Sequence, residues 1–266
     1  MTLIEQKSYS YWQKIFRHTL LLLGSTVLLF VAGCGKNHNG ALLNQAVADA
    51  RANNWQECEK NAVSVLKDNP IEPSALLLRA IAAENLGKLD VARESARLAA
   101  ENAPSSFAAQ YTYGRLLAMR PDSTKNAVQV LKRALELRPD DVNTLILLGQ
   151  SCSKLNSDEA ITYFTKLPSE VLQKPEIRTS MAIYYLDRRD SNRAYMRLGE
   201  IMLGNAYRTA PNKPEVVLNL ALYIDHYQHK RSRAKGFYQR YLRLTENNPE
   251  LNPTRAQVKA RISKLR

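Results

Sequence analysis

A chain of 266 residues with a net charge of +13 has room for one large domain or for an array of repeats. The charge is unevenly placed: residues 34–174 hold 17 Lys and Arg against 16 Asp and Glu, whereas residues 175–266 hold 18 against 8. The excess turns the last third toward something anionic (an acidic protein, lipid headgroups or cell-wall polymer), with a merely solvated basic face as the competing reading. Nucleic acid is set aside, because the chain opens with an export signal. Residues 1–18 carry Lys7, Lys14 and Arg17 against one acid, Glu5, and residues 19–33 (TLLLLGSTVLLFVAG) carry no charge. A basic start, an apolar run and small residues at its end make such a signal. Fifteen helical residues span about 22 Å, short of the ~30 Å hydrocarbon core, which disfavours a membrane-crossing anchor.

The apolar run ends in Val31-Ala32-Gly33-Cys34. A branched apolar residue, two small residues and a Cys resemble the lipobox of bacterial lipoproteins. The resemblance implies cleavage between Gly33 and Cys34, a thioether diacylglycerol on the Cys34 sulfur and acylation of the freed amine. An ordinary signal peptide preceding a Cys is the alternative. Several acyl chains hold far better than one, so such an anchor would last. Gly35, where inner-membrane retention tends to use Asp, resembles the outer-membrane case. The expected address is therefore the bacterial envelope, lipid-anchored on the periplasmic side of the outer membrane, with an inner-membrane or single-membrane placement still open.

Beyond the leader the chain repeats itself. Pro70, Pro104, Pro139, Pro175, Pro211 and Pro249 stand 34, 35, 36, 36 and 38 residues apart. Each interval holds two amphipathic stretches joined by a polar turn. Proline ends the second stretch, because it lacks an N–H and restricts the residue before it. Strand-like alternation is nearly absent, so the expected fold is all-α.

Residues 73–104 set the pattern with Leu76, Ala80, Leu86-Gly87, Ala92, Ala99 and Pro104. Residues 39–70 follow with Ala46, Asn53-Asn54-Trp55, Cys58 and Val65, and residues 107–139 with Tyr113-Gly114, Ala127, Leu131 and Ala134 plus one extra turn residue. Later units are looser: Leu148-Gly149, Ala160 and Phe164, with Pro168 inside the second stretch; then Tyr185 and Ala194; then Leu220-Ala221, Ala234 and Tyr238. This pattern resembles the tetratricopeptide repeat, a helix-turn-helix unit of about 34 residues. The resemblance implies a right-handed superhelical solenoid of about six units. The expected organisation is a signal peptide at 1–33, a lipidated tether at 34–38, repeats over 39–249 and a basic capping helix in 250–266. Cys58 and Cys152 then lie three units apart, whereas a disulfide needs Cα atoms within about 7 Å, so both are expected as buried free thiols.

In this family the first helix of each unit lines the ligand groove. The matching positions are Leu77, Ile81, Glu84 and Asn85; Tyr111, Arg115 and Met119; and Ile146, Gln150 and Lys154. Lys230, Arg231, Arg233 and Lys235 cluster at one turn as a basic surface. His226 and His229, beside Asp225, have a spacing that could hold a metal, but no third ligand is evident. No phosphate loop, dinucleotide glycine motif or nucleophile elbow is present. The expectation is therefore no enzyme, cofactor, metal or small-molecule substrate. The predicted function is a membrane-tethered scaffold for protein or peptide partners, assisting assembly of an envelope machine. Six repeats behind a lipobox resemble, in layout, the pilotins of type IV pilus secretins and the repeat lipoprotein of tight-adherence pili. A scaffold for cell-wall or outer-membrane maintenance factors is the alternative.

Overall fold

The computed structural model describes residues 38–265. The cleavage and lipidation expected at Gly33 and Cys34 lie outside the described residues. Within them run α1 (His38–Arg51), α2 (Trp55–Asp68), α3 (Pro73–Asn85), α4 (Leu89–Asn102), α5 (Phe107–Ala118), α6 (Thr124–Leu137) and α7 (Val142–Lys154). There follow α8 (Glu159–Thr165), α9 (Ser169–Leu172), α10 (Pro175–Asp187), α11 (Arg193–Thr209), α12 (Pro214–His226), α13 (Arg231–Leu244), a 3-10 turn (Pro249–Leu251) and α14 (Asn252–Lys264). No strand occurs among the described residues, so the expected all-α class stands. No described helix is long and apolar enough to cross a membrane.

The turn inside most hairpins is set by one left-handed residue. Asn53, Gly87, Asn156 and His229 all have positive φ, between 53° and 77°. Asn and His tolerate this region better than most side chains, and Gly enters it freely. At each, the next N–H reaches back into the preceding helix: Asn54 to Asp49, Lys88 to Ala83, Ser157 to Cys152 and Lys230 to Ile224. These bonds satisfy carbonyls that the helix end would leave open. Proline punctuates as expected after α2, α4, α6 and α11. Pro175 is different: it opens α10 at the first helical position rather than closing a unit. Its missing N–H is an orphan there in any case, and its φ already suits the helix.

Contacts divide the described residues into two compact units, 38–151 and 152–265, the dividing line falling inside α7. In the first, three core clusters bridge a hairpin and the next repeat. Ala46, Ala50, Cys58 and Ala62 pack with Leu78 and Ala82. Ala80, Ala83, Ala92 and Ala96 pack with Leu116 and Met119. Leu76, Leu77, Ala99 and Ala100 pack with Ala109. Leu117, Ala118 and Ala127 pack within the α5/α6 hairpin, and the other clusters join neighbouring repeats into one stack. Gly114 shows how close the helices come: a Cβ there would stand 2.8 Å from Leu131 Cδ2. Cys58 fills a small-residue position and is fully buried; burial, first, and nearby Asp49 and Glu59 push its thiol up to about 12. Both Cys58 and Cys152 are buried thiols.

In the second unit the helix expected after α7 is broken. Seven-residue α8 ends at Thr165, and Pro168 starts the four-residue α9. Proline cannot donate into a continuing helix. The hairpins α10/α11 and α12/α13 restore the pattern. In α11, Gly199 admits Leu186, whose side chain lies 2.6 Å from an ideal Cβ position. Tyr238 and Tyr241 are fully buried.

Candidate functional site

Asp141 and Ser106 begin the helices that carry the predicted groove. Ser106 Oγ accepts from Ala109 N–H at the start of α5, and Asp141 Oδ1 accepts from Thr144 N–H at 2.7 Å at the start of α7. Such caps hold the first turn. On α3 and α5 the structure brings Glu84 and Arg115 together. Arg115 Nη1 donates to Glu84 Oε1 at 2.5 Å, and Nη2 donates to the other carboxylate oxygen. Arg115 is 4% exposed. Burial opposes its charge, but the Glu84 hydrogen bonds and charge outweigh that and hold the guanidinium above its ordinary value. A forked pair of this kind fixes geometry as well as charge.

Tyr111 lies one turn before Arg115 and is half-buried. Burial pushes its phenol up to about 12, so it stays a neutral donor. Its ring stacks on Phe107 at 5.6 Å, and Arg138 covers Phe107 at 4.2 Å. The remaining groove candidates divide. Ile81 and Ile146 are half-buried, and Asn85 is exposed with its Nδ2 donating to Ile81 O. Leu77 and Met119 belong to core clusters, and Gln150 is buried. Lys154 ends α7 beyond the dividing line, and burial pushes its amine down to about 8. The face carries one oriented, largely buried charge pair, a half-buried phenol and aliphatic side chains.

The second unit carries the basic surface. Lys230, Arg231 and Arg233 are exposed and Lys235 is half-buried at the start of α13. The structure adds Arg193, Arg197 and Arg208 on α11 and Arg243 on α13, all exposed. Among the described residues none of these eight cations sits in an ion pair, whereas in 38–151 Lys60, Lys88, Arg97 and Arg120 are paired with Glu57, Glu59, Glu94 and Asp122. The extent of this surface was hidden from a search for adjacent charges, because its residues recur along two helices far apart in sequence.

The histidine pair has another explanation. Asp225, 3% exposed, accepts from Tyr238 Oη at 2.9 Å and from Arg261 Nε and Nη2 at 2.7 and 2.8 Å. Burial pushes its carboxyl up, but the Arg261 and Tyr238 hydrogen bonds outweigh this and hold it below its ordinary value. Asp225 is thus the latch of α14 onto α12 and α13. His229 is the left-handed turn residue. Among the described residues no group of three His, Cys, Asp or Glu gathers at ligating distance.

The tetratricopeptide repeat family model matches residues 43–107 and 87–142. No curated protein matches. Among solved structures, the chain is similar to PilW, described as a widely conserved type IV pilus biogenesis factor, at 16% identity and a TM-score of 0.62, over 83% of this chain and 99% of that one. It is similar to a tetratricopeptide repeat protein of Parabacteroides merdae at 15% identity and a TM-score of 0.59, over 93% and 91%. PilF of Pseudomonas aeruginosa matches at 16% identity and a TM-score of 0.56, over 82% and 97%.

Proposed function

We propose, from the premise that residues 43–142 are tetratricopeptide repeats, that this chain is a membrane-tethered scaffold whose helix-A face holds a partner segment during assembly of an envelope machine such as a pilus. The observation that carries the reading is the joined face of α3 and α5. Glu84 and Arg115 are locked to each other and cannot drift, Tyr111 offers a neutral hydroxyl, and Ile81 and Ile146 supply apolar area. Preorganised groups of this kind lower the cost of ordering a peptide. The tether rests on the sequence alone, on the uncharged run ending in Cys34. The pilus direction is favoured by the extent of the likeness to PilW and PilF, which runs over four-fifths of this chain.

The test uses the full chain in its own envelope. A photo-crosslinker replacing Ile81 should trap a protein that is absent when Tyr111→Ala and Arg115→Ala are also present. Mass spectrometry should identify it as a component of one surface machine. Trapping that is indifferent to both changes would remove the groove. Separately, Cys34→Ala should abolish incorporation of labelled fatty acid; undiminished labelling would remove the tether and leave the groove standing.

A further inference from the structure

Gly114, Gly199, Gly204 and Gly236 stand inside helices and invite comparison. Gly114 and Gly199 have a reason within the chain, since a Cβ would collide with Leu131 and Leu186. Gly204 on α11 and Gly236 on α13 have none: nothing lies within 4 Å of a Cβ placed on either. Glycine weakens a helix interior relative to alanine, so these two positions give up helix stability without any packing return in the chain. Both adjoin the same seam. Tyr207, one turn after Gly204, meets Phe237, next to Gly236, edge to face at 5.4 Å, and both rings are half-buried. Arg240 closes over Tyr207 at 5.8 Å and donates to Asn212.

Around this seam the charge is mostly of one sign. Arg197 and Arg208 lie on α11, and Arg233 and Arg243 on α13, all exposed. α13 holds no acid, and the one acid of α11, Glu200, accepts from Gln228 Nε2. Exposed Ile201 and Leu244 add apolar surface. We infer that the α11–α13 seam is a second docking surface, which takes an acidic, amphipathic helical segment of another protein. The shape argues for a protein over a bilayer. Headgroups gain nothing from the bare, open helix backbone at Gly204 and Gly236, whereas a partner helix can approach that backbone closely, beside Tyr207 and Phe237 and within reach of the arginines. A second copy of this chain is a poor occupant, because residues 34–174 are nearly neutral and residues 175–266 are themselves basic.

The surface lies on residues 193–244 and does not depend on the helix-A face. The test uses the full chain in detergent micelles and a fluorescein-labelled synthetic helix of alternating Glu and Leu blocks, followed by anisotropy. Arg197→Glu, Arg208→Glu, Arg233→Glu and Arg243→Glu together should abolish binding. Gly204→Leu with Gly236→Leu keeps every charge and should still weaken binding by about tenfold or more, because the added side chains hold the partner's backbone away. Gly204→Ala with Gly236→Ala, which cannot harm helix formation, should give a smaller loss in the same direction. Tyr111→Ala should change nothing, which separates this surface from the groove. Binding indifferent to the leucines would overturn the inference in favour of unspecific charge attraction. Binding to mixed phosphatidylcholine and phosphatidylglycerol vesicles that survives the leucines, without binding of the peptide, would overturn it in favour of a lipid surface.

Discussion

Gly87 and Gly204 make opposite predictions from the same residue type. Gly87 has a φ of 77° and open space around it, so alanine there meets backbone strain alone. Gly87→Ala should destabilise by about 1 kcal/mol. Gly204→Ala, in a right-handed helix with equal room, should stabilise by up to about 1 kcal/mol. Urea unfolding of the two variants checks the pair; a shared sign would sink the account. The turn at Leu86-Gly87 was legible because glycine announces it. His229 was not, because its distance from His226 imitates ligand spacing and nothing local says that it occupies a turn. Asp225 adds a pH dependence. Its folded carboxyl lies below the ordinary value, so the latch is complete above an unfolded pKa of about 3.9 and is lost as pH falls through the folded value. Asp225→Asn should cost about 2 kcal/mol near neutrality, since Arg261 can partly return to water, and should flatten stability against pH below about pH 4. A variant as acid-sensitive as the parent would show that other carboxylates set the acid limit.

Elements were read well where proline and small residues agreed. Ala80, Ala92, Ala99, Ala127 and Ala134 are all fully buried, because a helix pair this close leaves no space for more. Reading failed at Pro175, since one proline can either end a helix or begin the next, and only the following residues' packing decides. It also missed that Glu84 and Arg115, each named from its register, bond to each other. That contact joins residues 31 apart and depends on how neighbouring helices superpose. Helix starts carry their own test. Asp141 Oδ1 accepts from both the N–H and the hydroxyl of Thr144, at 2.7 and 2.6 Å. Asp141→Ala should cost about 1 kcal/mol and speed amide exchange in the first turn of α7 alone. Exchange that quickens evenly along the helix would mean that the cap is not what holds that end.

At the scale of the chain, stability in a stack is a sum of repeats and of interfaces between neighbours, so one poor interface can divide the unfolding. The weak place follows α7. There the second helix is cut to α8 and α9 around Pro168, shortly beyond the line inside α7 at which the contacts part into 38–151 and 152–265. Pro168 was visible in the sequence, but the division was not, because it is a property of contact density rather than of any motif. The two units should therefore lose structure separately as urea rises. Amide exchange read by mass spectrometry can follow peptides from 73–137 and from 175–264 in one sample. Gly87→Ala should lower the midpoint of the first set and leave the second in place. Asp225→Asn should do the reverse. If either substitution moves both sets together, the chain unfolds as one cooperative body, and the break at Pro168 is only a local irregularity in an otherwise continuous stack.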